Sequence, residues 1–129
     1  MSDLKLKQLQ YESDTWKRLL GFIMEENMHL KNRISELLKD RFDSNLLEEV
    51  EDFQSRFVKE DELISLLRND VAKVDRLLVR EIFEDGRIMH KVNSDLKKMR
   101  NDITMAEKEF TRLKSEFHNY LSENILPCD

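Results

Sequence analysis

The 129-residue chain contains two glycines, one proline and one cysteine. So little glycine and proline leaves almost no material for tight hairpin turns, for barrels or for a glycine-rich phosphate loop. The lone Cys128 cannot close a disulfide within the chain, which fits a reducing, cytoplasmic setting. No apolar run approaches the roughly 20 residues of a membrane-spanning helix. The opening Met1-Ser2-Asp3-Leu4-Lys5 also lacks the apolar stretch of a secretory signal. Excess positive charge is missing too. With 22 basic against 27 acidic residues the net charge is -5, so no global field draws the chain to nucleic acid or anionic lipid.

What is present is charge and leucine-rich apolar periodicity. Charged residues make up 38% and hydrophobic residues 40%, the balance of long helices or coiled coils. Three runs of alternating three- and four-residue steps cover nearly the whole chain. The first is Leu6, Leu9, Trp16, Leu20, Ile23, Leu30, Ile34 and Leu37, with Ser13 and Asn27 as polar exceptions. The second is Leu46, Val50, Phe53, Phe57, Ile64, Leu67, Val71, Val74 and Leu78, with Glu60 as its exception. The third runs from Met89 through Val92, Leu96, Met99, Ile103, Ala106, Phe110, Leu113 and Phe117 to Tyr120. A 3.5-residue period held this long keeps one seam of each helix facing a partner.

Boundaries follow from the breaks. Asn45 with Glu48 has capping-box spacing, Gly86 suits a left-handed helix end, and Pro127 stops the last helix. We therefore expect helices over about 3–39, 45–84 and 87–125, in a single domain spanning 1–129 with a frayed tail at 126–129. Near-equal lengths and short connections favour an all-α, elongated three-helix antiparallel bundle. The segment 40–85 is the acidic one, with 14 acidic to 7 basic residues, which favours packing of unlike segments. The rival arrangement runs the second and third helices through Gly86 as one continuous rod in a structural coiled-coil oligomer.

Folding back near residues 42 and 86 places chosen residues at common heights. Asn27, Glu60 and Arg112 then fall within about a turn of one another, as a structural polar layer that penalises shifted registers. Phe53, Phe57, Phe110, Phe117 and Tyr120 gather near the first turn, with Leu30 and Ile34 facing them.

Chemistry-bearing patterns are scarce. Glu26 and His29 match the Glu-x-x-His spacing of di-metal bundles once, without the second copy such sites require. Heptad position puts His29 and His118 on solvent faces. No zinc-spaced Cys or His pair and no nucleophile elbow occurs, and acidic runs such as Glu48 to Asp52 lack the glycine of a calcium loop. We expect no enzyme, no cofactor and no small-molecule substrate. The remaining signal is surplus apolar surface on the first helix, at Phe22, Met24 and Met28, beside a Gly21 whose missing side chain would permit close approach by another backbone. The expectation is an interaction or scaffolding protein that binds another protein, or a second copy of itself, through that surface. A metal-binding bundle using Glu26 and His29 is the weaker alternative.

Overall fold

The computed structural model describes residues 3–39, 44–84 and 89–124. They form three α-helices, α1 (Asp3–Lys39), α2 (Ser44–Glu84) and α3 (Met89–Asn124). The Asn45 and Met89 side chains, the Gly86 turn and the tail with Pro127 and Cys128 lie outside what the structure describes. At 1.5 Å per residue the 37, 41 and 36 residues give rods of roughly 54 to 62 Å. None of the three is long and apolar enough to cross a membrane.

The helices form an antiparallel bundle. Tyr120 near the end of α3 donates a hydrogen bond to the Leu46 carbonyl at the start of α2, 3.2 Å away. Ser13 early in α1 bonds Asp75 late in α2. Neighbouring helices therefore run opposite ways, and α1 and α3 run parallel. So α2 and α3 lie side by side rather than end to end. Helix α1 packs closely along α2 and stands further from α3, which leaves an open groove between α1 and α3.

Burial follows the heptad seams. On α1, Leu9, Trp16, Leu20, Ile23, Leu30, Ile34 and Leu37 are buried, and α2 and α3 bury every apolar seam position from Val50 to Leu78 and from Val92 to Tyr120. These side chains form one continuous core, with Leu6 and Leu46 partly buried at its margin. Leu121, outside the seam, is buried as well. Each helix thus places an apolar stripe against the other two, and burial at about 25 cal/mol per Å² is the main force joining them.

The aromatic end is well defined. The Phe53 ring lies 5.2 Å from Phe117 and 5.3 Å from Tyr120, and Phe57 meets Phe117 edge-on at 5.4 Å and 80°. Tilted and edge contacts set the positive ring edge against a negative face, a gain beyond area alone. Phe117 touches both α2 rings and is fully buried. Phe117→Ala is therefore expected to cost about 3–5 kcal/mol in urea denaturation.

Gly21 sits inside α1 with no atom of another element within 4 Å of where a Cβ would stand. Among the described residues no backbone makes the close approach that a glycine would allow. Gly21→Ala should then raise stability by about 1 kcal/mol, read as a higher thermal midpoint, because a helical glycine carries only its entropic cost here.

Candidate functional site: polar layers and two grooves

The polar exceptions on α1 each find an acid on α2. The Ser13 hydroxyl donates to Asp75, and the Lys17 ammonium pairs with the same carboxylate. Two heptads later the Asn27 amide donates to Asp61 and to the Phe57 carbonyl, the latter at 3.0 Å, while Lys31 pairs with Asp61. Ser13 and Asn27 are both fully buried. The same three-part clamp thus occurs twice. A seam residue donates from inside, a lysine one turn on closes from outside, and one aspartate accepts both.

A second pair of links repeats at the same interval between α1 and α3. Arg100 grips Glu12 through two hydrogen bonds of 2.8 Å, and Lys114 grips Glu26 at 2.8 and 2.9 Å. Between these charged levels come apolar ones. Leu19 and Met24 occupy the positions on α1 equivalent to Glu12 and Lys17, and both pack on the core. The expected polar layer holds Asn27 but none of the other clamp residues. Their signal in the sequence is that Ser13 and Asn27 share one heptad position, each with Lys four residues on.

Of the expected layer, the structure brings Glu60 and Arg112 to one groove and turns Asn27 elsewhere. Asn27 occupies the side of its helix that leans on α2, whereas Glu60 occupies the side of α2 that leans on α3. Glu60 is buried with 9% of its surface exposed, and Arg112 is exposed. Arg56, Lys59, Leu63, Glu109 and Leu113 complete this α2–α3 groove. One Glu60 oxygen is buried with no hydrogen-bond partner, as is Asn27 Oδ1. Burial raises the Glu60 carboxyl, Glu109 raises it further and Arg56 opposes them, so it titrates at about 6 instead of 4.5.

Phe22, Met24 and Met28 do not share one face. At 100° per residue, Phe22 points to the α3 side of α1, and Met24 and Met28 point to the α2 side. Phe22 is 57% exposed and Met28 49% exposed. Met24 is only partly exposed and contacts the Arg68 guanidinium through its sulfur. Phe22 lines the α1–α3 groove with Leu19, Ile23 and Phe110, a space of about 400 Å³ bordered by the Glu26–Lys114 link and His118. A second opening, around the Glu12–Arg100 link, is lined by Leu9, Tyr11 and Trp16. Tyr11, 69% exposed, was not part of the expected surface, nor was Leu66, 62% exposed on α2. Both stand outside the seam, where a heptad count gives no reason to look.

His29 and His118 are exposed, and Glu26 is held by Lys114. Among the described residues no three His, Cys, Asp or Glu side chains gather where they could hold a metal ion. Comparison with protein-family models, curated proteins and solved structures finds no match.

The raised Glu60 carboxyl sets a pH dependence. A group that titrates higher in the folded than in the unfolded chain stabilises the fold below its unfolded value, and that contribution is lost as pH rises through the folded value. Here the window runs from 4.5 to about 6. Urea titrations of wild type and Glu60→Gln should nearly coincide at pH 4. The variant should gain by about 2 kcal/mol at pH 7.5, since it never carries the buried charge.

Proposed function

We propose that the chain is a non-enzymatic interaction module, acting in the cytoplasm, that docks another protein or a second copy of itself along α1. The observation that carries this reading is the open side of the bundle. Helix α3 stands away from α1, and Phe22 lies more than half exposed at the rim of an apolar groove floored by Ile23 and Phe110. A helix laid into such a groove would cover Leu19, Phe22 and the Tyr11 opening with one apolar stripe, the usual mode of helix-in-groove recognition. Gly21, next to Phe22, has no atom of another element within 4 Å of its Cβ position and adds room on the neighbouring face.

The charge pattern supports a helical partner over a polyanion. Acidic residues outnumber basic ones, and Lys114 in the groove and Arg100 at the Tyr11 opening are already engaged by Glu26 and Glu12. Compartment rests on the single cysteine alone.

The test is solution mass by light scattering across concentration, with single variants on the two sides of α1. Phe22→Glu should change folding stability by less than about 0.5 kcal/mol, as expected for an exposed site, and weaken association at least about tenfold. Met28→Glu, on the other side, should leave association intact. Loss of helicity in Phe22→Glu would mean the ring is core, and association unchanged in Phe22→Glu but lost in Met28→Glu would move docking to the α1–α2 face.

A further inference from the structure

The α2–α3 groove holds an arrangement that docking along α1 does not use. Glu60 stands at a seam position where every neighbouring level is apolar, and one of its oxygens is sealed from solvent without a hydrogen-bond donor. Across the groove α3 presents Glu109 and Arg112. Two carboxylates facing each other across a helix interface are stable when one is neutral, or when a cation stands between them.

The available cations differ in their freedom. From α2, Arg56 is committed to Glu116 at 2.6 Å and lies over the Phe53 ring. Lys59 precedes Glu60 directly, and adjacent residues on a helix do not face each other. From α1, Lys31 is held by Asp61, and Glu26 and Asn27 are bonded to Lys114 and to Asp61. Arg112 alone lines the groove from the opposite helix with an exposed side chain and no ion pair among the described residues. Three residues on from Glu109, it shares a helix face with it. Its planar fork can engage two carboxylates at once.

We propose that Glu60 and Arg112 form a proton-operated latch across the α2–α3 groove: with Glu60 neutral, Arg112 stands out in solvent, and with Glu60 ionised its guanidinium folds down between Glu60 and Glu109. Closing covers the partly exposed Leu63 and exchanges an exposed cation for a paired one, so the surface of this side of the bundle changes with pH. With Arg112 out in solvent Glu60 titrates at about 6, and closure on the ionised form draws the change below that value while burial keeps it above the ordinary 4.5.

Carbon-detected NMR of the full chain, titrated from pH 4 to 9 at low salt, tests the latch directly, with the Glu60 carboxyl signal assigned by its loss in Glu60→Gln. The expected wild-type midpoint lies well above the ordinary 4.5, and the Arg112 Nε–H signal shifts and exchanges more slowly with that same midpoint. In Arg112→Gln, an exposed substitution, the Glu60 midpoint should rise by about half a unit or more, because the ionised form has lost its counter-charge. An unmoved midpoint in Arg112→Gln, an Arg112 signal constant across the titration, or a wild-type midpoint at 4.5 would each overturn the proposal.

Discussion

The bundle depends on buried polar groups of α1 meeting aspartates of α2. Apolar seams say only that helices should associate, and Leu, Val and Ile at successive heptads would tolerate several registers. Ser13 with Asp75 and Asn27 with Asp61 remove that tolerance. A slip of one heptad in either direction sets a lysine of α1, Lys17 or Lys31, opposite Arg68 and leaves a buried donor without its acceptor. Unmatched buried donors cost about 1–3 kcal/mol each. A slip of two heptads keeps one clamp and empties the other. The two clamps together therefore select one register where either alone would not.

From that lock the rest of the molecule follows. Clamped to α2, α1 leaves its other flank toward α3, where the links Glu12–Arg100 and Glu26–Lys114 bridge the two helices above the shared core. Both are partly solvent-exposed, so their value is chiefly in setting the relative height of parallel helices and not in holding them tightly. The groove between α1 and α3 stays open between those links. The open groove and the register clamps thus occupy opposite flanks of one helix. A substitution in the groove leaves the fold's addressing system untouched.

Glu60 belongs to a different part of the design. The clamped acids sit at the rim of the α1–α2 contact with a lysine to neutralise them, whereas Glu60 is placed in the seam itself with its nearest committed cation, Arg56, turned to Glu116. Low local dielectric penalises its charged form, and Glu109 adds like-charge repulsion. Glu60 Oε2 and Asn27 Oδ1 are buried without a hydrogen-bond partner in the described core, and of the two residues only Glu60 carries an ionisable group.

Much of this architecture was legible before any coordinate. The 3.5-residue period named nearly every buried side chain, because a helix has only one way to turn a repeating stripe inward, and helix lengths with folding-back arithmetic placed Phe53, Phe57, Phe117 and Tyr120 at one end. Heptad position also put His29 and His118 in solvent. What the period does not carry is which flank of the seam each polar residue leans toward, since that depends on where the other two helices stand around the axis. For that reason Asn27, Glu60 and Arg112, level in height, separate into an α1–α2 clamp and an α2–α3 groove, and Phe22 parts from Met24 and Met28 although all three lie within two turns. Height along the bundle is a property of the sequence, and azimuth around it is decided only when three helices pack.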